Sequence, residues 1–141
     1  MDDPATSRPA TTSAAKDAGA LALAFLRAME DRDLAGAQAF LAPGARLIFP
    51  GGVVYASLDD LVAGSARKYA NVRKRIEALD VVSGPDQEVA YVFGTLYGRW
   101  SDDIPFEGIR LIDRFTIRAG RIVRQDVWND SAFVHPTPRS A

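Results

Sequence analysis

Apolar positions follow a helical spacing near the start of the chain and a two-residue alternation over its second half. Ala18, Leu21, Ala22, Phe25, Ala28 and Met29 keep the i, i+3, i+4, i+7 spacing of a buried stripe, with Lys16, Arg27 and Glu30 off it. Asp33 is placed to cap a second, short helix whose Leu34, Ala37, Phe40 and Leu41 face inward, and Pro43-Gly44 is expected to end it. Arg46 to Phe49 reads as a short strand stopped by Pro50-Gly51-Gly52. Ser57, with Asp60 three residues on, starts a third helix whose apolar positions are Leu58, Leu61, Val62 and Tyr69. Strands are expected over about 72–83, 88–100, 106–118 and 121–129, with Gly84-Pro85-Asp86 and Ser101-Asp102-Asp103 marking loops. Helices followed by an antiparallel meander predict an α+β domain: a cone-shaped, curved antiparallel sheet wrapped around three N-terminal helices. The open mouth of such a cone is a natural small-ligand site.

The alternation is broken at one position. Ile109, Leu111, Asp113, Phe115 and Ile117 share one strand face, and Arg110, Ile112, Arg114, Thr116 and Arg118 share the other. A carboxylate in the middle of an apolar face costs several kcal/mol unless it is paired, hydrogen-bonded or neutralised. Asp113 is therefore the candidate catalytic or ligand-binding residue, the alternative being a buried structural carboxylate satisfied by a tyrosine or backbone donor. Arg118-Ala119-Gly120 reads as a three-residue loop, a type I turn closed by glycine as a bulge. On that register Phe115 faces Val123, Asp113 faces Gln125, Leu111 faces Val127 and Ile109 faces Asn129. A two-residue loop would put Arg124, Asp126 and Trp128 on the Asp113 face, which the apolar pattern disfavours. Gln125 and Asn129 become the polar neighbours of Asp113.

Strand 88–100 offers two faces. Ala90, Val92, Gly94, Leu96, Gly98 and Trp100 form the one placed inward, because its glycines allow close approach of a helix or ligand, with Trp100 at the mouth. Val89, Tyr91, Phe93, Thr95, Tyr97 and Arg99 then face out. A Tyr-Phe-Tyr stripe on a convex face suggests a homodimer through it; burial of both faces within one chain is the alternative. Tyr55, after the Gly51-Gly52 turn, is a candidate hydroxyl donor over the mouth, or a packing residue.

With 141 residues, 48% of them hydrophobic and 25% charged, the chain is expected to form one domain with a single core. Met1 to Ala15 reads as a disordered lead without the basic and apolar regions of a signal peptide, residues 16–133 as the domain, and 134–141 as a disordered tail. A cytoplasmic setting is expected. The formal net charge of −1 argues against a nucleic-acid binder, and Arg67, Lys68, Arg73, Lys74 and Arg75 read as solvated charges. No apolar run reaches the length of a membrane span. The absence of cysteine excludes disulfides, thiol catalysis and thiolate metal sites. His135 stands alone in the tail, and no metal site or organic cofactor is expected.

The order helix, helix, strand, helix, four strands resembles the nuclear-transport-factor-2-like superfamily, with its cystatin-like fold, and within it the SnoaL-like group, over about residues 16–133. The stretch Leu111-Ile112-Asp113-Arg114-Phe115, followed by Ala119-Gly120-Arg121-Ile122-Val123, is similar to the corresponding hairpin of ketosteroid isomerases. The resemblance implies that Asp113 is an oxyanion-hole acid, a carboxyl kept neutral by an apolar site so that it donates a hydrogen bond. It also implies that Phe25 stands where those enzymes carry an oxyanion tyrosine and Phe49 where they carry the general base. Steroid isomerisation by that mechanism is therefore not expected, and strand 88–100 lacks the Arg-x-Asp pair of limonene-epoxide hydrolases.

Two functions remain open. One is a cofactor-independent lyase, isomerase or cyclase acting on a small, largely apolar carbonyl or hydroxyl compound. In it Asp113 donates to a developing oxyanion, Gln125 and Asn129 orient the substrate, and Phe25, Phe49 and Trp100 form the apolar wall. The other is a non-catalytic ligand-binding or dimerisation module of the same fold, with no second acid or base. A cavity reaching Asp113 favours the first, and one plugged by Phe25 and Phe49 the second.

Overall fold

The computed structural model describes residues 4–134, with side chains from Ser13 onward. Its elements are α1 (Pro4–Glu30), α2 (Leu34–Gln38), β1 (Leu41–Phe49), β2 (Val53–Tyr55), α3 (Leu58–Ala66), β3 (Tyr69–Ser83), β4 (Glu88–Trp100), β5 (Pro105–Arg118), β6 (Arg121–Asn129) and α4 (Ser131–Val134). The expected disordered lead gives way to helix from Pro4, a proline at the first helical position followed by a run containing several alanines. Met1 to Asp3, and the expected tail from His135 on, lie outside the described residues. Both capping residues act as read: Asp33 accepts from the Gly36 N–H and Ser57 from the Asp60 N–H, each at 3.0 Å.

The six strands form one sheet in the order β2-β1-β6-β5-β4-β3. Neighbours run antiparallel except β1 and β6, which are parallel, so the expected all-antiparallel sheet is mixed at that one pair. The second helix ends earlier than Pro43-Gly44 predicts. Ile122 N–H donates to the Phe40 carbonyl at 2.8 Å and Leu41 pairs with Ile122, so β6 captures the chain as strand. Pro43 and Gly44 fall inside β1, where its register against β6 shifts.

The β5–β6 turn also differs from expectation. Arg118 pairs with Arg121, and Ala119 and Gly120 both have positive φ (48° and 72°), a two-residue turn of the I′ kind. Such a turn alone would bring Arg124, Asp126 and Trp128 onto the Asp113 face. A bulge prevents it: Ile117 pairs with Ile122 but Thr116 pairs with Arg124, so Val123 is extra and the alternation flips back. Asp113 therefore faces Val127 and not Gln125, Phe115 faces Gln125, and Leu111 faces Asn129. Gln125, Val127 and Asn129 keep their place on the Asp113 face with partners displaced by two residues, whereas Ile122 takes the place expected of Val123, pairing with Ile117 in the core.

The main core lies between α1 and the concave face of the sheet, around Ala18, Ala22, Phe25, Leu26, Leu47, Val92, Phe115 and Ile122. Phe25 and Phe115 meet edge to face at 5.8 Å, a geometry worth about 0.5–1.5 kcal/mol beyond simple burial. Gly19 lets α1 sit close on β3, since a Cβ there would come within 2.8 Å of Leu79 Cδ2. A second cluster, Leu96, Trp100, Phe106, Ile109 and Leu111, closes the other end, with Trp100 stacked on Phe106 at 4.2 Å. The Gly94 and Gly98 positions are explained by strand packing and not by a helix or ligand. A Cβ on either would strike the backbone of β3, at the Arg75 and Asn71 carbonyls respectively.

On the convex face Trp128, Ile112 and Phe93 form a row across three strands, Trp128 54% and Ile112 37% exposed. Tyr91 stacks beside Phe93 at 6.5 Å, and the Arg75 guanidinium covers Tyr97 at 4.3 Å. The aromatic stripe is half-buried and not enclosed within the chain. Among the described residues no helix is long and apolar enough to cross a membrane.

Candidate functional site

Asp113 has no solvent exposure. Its Oδ2 accepts from Lys74 Nζ at 2.7 Å, and the lysine side chain is itself only 17% exposed. Lys74 stands on β3 opposite Leu96, and Asp113 on β5 opposite Val92. Gly94, between those two β4 positions on the same face, has no side chain to hold them apart. The pairing makes Asp113 an acceptor for an ammonium, whereas the family resemblance implied a neutral carboxyl acting as donor. Its Oδ1 is buried without a hydrogen-bond partner.

Lys74 faces a cavity of about 240 Å³ between α1, α3 and the concave sheet. Phe25, Leu26 and Met29 of α1 line one side, and Phe49, Val53, Tyr55 and Leu61 the other. Phe49 and Tyr55 meet edge to face at 5.4 Å, and the Tyr55 hydroxyl lies where a side chain on Gly64 would be. Only a glycine on α3 admits it. Phe25 and Phe49 thus wall the cavity without plugging it. Gln125 also lines it, 2% exposed, its Oε1 buried without a partner. Asn129 lines it too, with its Oδ1 accepting from the Ser131 N–H at 3.1 Å.

Two expected members lie elsewhere. Trp100 is buried in the second cluster between Tyr69 and Phe106 and is not a cavity wall. The loop that follows it folds back, Trp100 N–H donating to the Ile104 carbonyl at 2.9 Å, which draws the indole inward. Asp113 does not line the cavity and is joined to its lining by the hydrogen bond from Lys74.

Sequence reasoning missed the polar lining supplied by Glu30, Lys68, Tyr69, Lys74 and Ser131. Lys68 and Lys74, expected from the sequence as solvated charges, both line the cavity. Lys74 shares a strand face with the apolar Val72, which marks it as able to point inward, but its position 39 residues from Asp113 leaves no local signal that pairs the two. Lys68 Nζ donates to Ser131 Oγ at 2.6 Å, and burial pushes its ammonium below the usual lysine range. Burial pushes the Tyr69 phenol up, partly offset by its hydrogen bond with Ser131. Glu30 has both oxygens engaged, one by the Lys74 backbone N–H at 3.1 Å and one by Arg73 at 3.5 Å. Among the described residues no group of three or more His, Asp or Glu could hold a metal ion.

The family model for the SnoaL-like domain matches residues 22–125. None of the curated proteins matches the chain significantly. Solved structures share the fold. An NTF2-like protein with a cystatin-like fold from Novosphingobium aromaticivorans superposes with a TM-score of 0.67 at 15% identity, covering 90% of each chain. A protein provisionally assigned as a SnoaL-like polyketide cyclase from Jannaschia sp. CCS1 gives 0.67 at 13% identity over 99% of each chain. A protein provisionally assigned as a dehydratase of the NTF2-like family from Streptomyces avermitilis gives 0.66 at 11% identity, over 83% of this chain and 96% of that one.

Two outcomes follow from this geometry. Lys74→Met strands a buried carboxylate and is expected to cost about 3–5 kcal/mol in urea unfolding at neutral pH. Adding Asp113→Leu to it should restore most of that loss, because an apolar pair of similar size leaves nothing unpaired. A double variant no more stable than Lys74→Met would show that Asp113 is held by something else.

The second concerns Tyr69. A folded phenol pKa above the ordinary 10.0 means that the folded state keeps a proton the unfolded state loses. Its stabilisation is complete below pH 10 and is lost as pH rises through the folded value. Tyr69→Phe should therefore be less stable than the parent by about 1 kcal/mol at pH 8, with the gap closing towards pH 11. Lys68, shifted down, has the opposite slope but is present in both proteins and cancels in the difference. A gap that widens with pH would refute the assignment.

Proposed function

Because the chain belongs to the SnoaL-like domain family, we propose that it is a small-molecule enzyme of the lyase, isomerase or cyclase type, acting without an organic cofactor. The observation that carries this reading is the Lys74 ammonium, presented to an apolar cavity and fixed from behind by the buried Asp113. A substrate carbonyl seated against Lys74 Nζ gains a charged hydrogen bond that strengthens as a water molecule takes the α-proton and the oxygen becomes an enolate, the proton then leaving with the β-hydroxyl as water. Asp113 does not touch the substrate in this scheme; it positions the ammonium and balances its charge. Gln125 Oε1, an acceptor without a partner, orients a hydroxyl of the same substrate. Phe25 and Phe49 exclude bulk water and give the cavity its preference for largely apolar compounds. The cyclase and dehydratase assignments of the structural neighbours support chemistry of this class.

A second reading, a ligand-binding module without turnover, is favoured by Glu30. Among the described residues it is the one carboxylate lining the cavity, and both its oxygens are already engaged. The two readings separate on a test compound. The aldol of benzaldehyde and acetone is a β-hydroxy ketone whose dehydration to the enone is followed by ultraviolet absorbance. Dehydration by the parent protein, lowered about 10²–10³-fold in kcat by Lys74→Gln, is expected for the enzyme. Binding by calorimetry with no dehydration by the parent would instead support the module.

We further infer a homodimer through the convex face. Trp128, Ile112 and Phe93 form an apolar row flanked by the Arg114, Arg124 and Asp126 ion pairs, a pattern that a two-fold contact buries symmetrically. Sedimentation at micromolar concentration should give a dimer for the parent and a monomer for Trp128→Glu. A monomeric parent would exclude this interface.

A further inference from the structure

Among the residues lining the cavity, three are cationic (Arg32, Lys68 and Lys74) and one, Glu30, is anionic. The acids around them are already matched. Asp113 holds Lys74 at 2.7 Å, Glu30 faces Arg73 at 3.5 Å, and Asp130, next to Ser131 in the chain, is held by Arg110 Nε at 2.7 Å. Lys68 has no carboxylate within ion-pair distance among the described residues. Its Nζ spends one of three N–H donors on Ser131 Oγ and leans over the Tyr69 ring at 5.9 Å. Ser131 is 3% exposed and also hydrogen-bonds the Tyr69 hydroxyl, so the lysine is set on a buried, fixed acceptor and does not sweep through solvent.

We propose that Lys68, seated on Ser131 and Tyr69, is an anion subsite of this cavity, and that its ligand carries an ionised oxygen acid, a carboxylate or an acidic enol. This deepens the reading of the cavity as a carbonyl-compound site and rests on it. One oxygen of the ligand meets Lys74, and the acidic group, elsewhere on the same molecule, meets Lys68. Two roles are separated by charge. Lys74 arrives neutralised by Asp113 and offers a directed hydrogen bond. Lys68 arrives uncompensated and selects for net negative charge. Burial without a counter-ion lowers the Lys68 pKa, and an anionic ligand would supply the missing charge and raise it again.

The experiment uses two matched pairs of probes on the full chain: naphthoate against naphthamide, and hydroxynaphthoquinone against its methyl ether. Binding is measured by calorimetry at neutral pH to the parent, Lys68→Gln and Lys68→Arg, each first checked for folding by circular dichroism. The parent is expected to bind at least one acid about 10- to 100-fold more tightly than its neutral partner, the size of one charge-assisted hydrogen bond. Lys68→Gln should remove that preference while keeping the neutral partner's affinity, and Lys68→Arg should retain the preference. Whichever acid shows the effect identifies the group, carboxylate or enol. Equal binding of acid and neutral probes to the parent would overturn the subsite while leaving the cavity reading intact. So would a preference that persists in Lys68→Gln. No binding of any probe would overturn both. Should Lys68→Gln fail to fold, Ser131→Ala replaces it, and an unchanged acid preference there would count against the buried platform that holds the lysine.

Discussion

One ion pair governs how the concave face is organised. Asp113 lies on β5 with no access to water, and a bare carboxylate there would cost several kcal/mol. Lys74 answers that cost from two strands away, at 2.7 Å. The pairing draws an ammonium inward that would otherwise extend into solvent from the sheet edge. It also ends the apolar core: on one side Phe115, Val92 and Phe25 pack closely, and on the other a cavity begins. Such a pair adds little to net stability compared with an apolar pair, so its presence is better explained by what it displays to the cavity.

The glycines make the geometry possible. β3 crosses close over β4 at Gly94 and Gly98, where any side chain would strike its backbone. That close crossing curves the sheet edge over the concave face and brings Lys74 and Val72 towards α1. Gly64 does the same for α3, admitting the Tyr55 hydroxyl. Gly19 does it for α1 against Leu79. Of these close approaches the one at Gly64 and Tyr55 bounds the cavity directly, and the polar lining gathers where the third helix runs into β3, at Lys68 and Tyr69.

The functional reading divides the lining between two lysines with different electrostatic settings. Lys74 has a buried carboxylate behind it and acts as a directed donor. Lys68 has a serine and an aromatic ring around it and keeps its charge uncompensated. A pocket with apolar walls and two such points suits a compact ring or short chain bearing two separated oxygens.

By itself the sequence determined the elements and the faces. Helical spacing marked α1 and its buried Phe25; Asp33 and Ser57 marked two helix starts; alternation marked β4 to β6; and the anomaly at Asp113 marked the point where chemistry had to be explained. These are local properties, set by periodicity and capping within a few residues. The family resemblance followed from the same order of elements. What only the tertiary structure decided depended on distance between segments. The I′ turn and the Val123 bulge changed the partners across the hairpin; beyond the bulge the two parity shifts cancel and Gln125, Val127 and Asn129 keep their face, while before it Ile122 turns inward in place of Val123. Trp100 and Lys74 both read as cavity-edge or surface residues by position alone, yet the folded loop buried the one and the carboxylate drew in the other. A periodic pattern records which way a side chain points, but the charge that meets Asp113 lies 39 residues away in the chain, and no local pattern carries that distance.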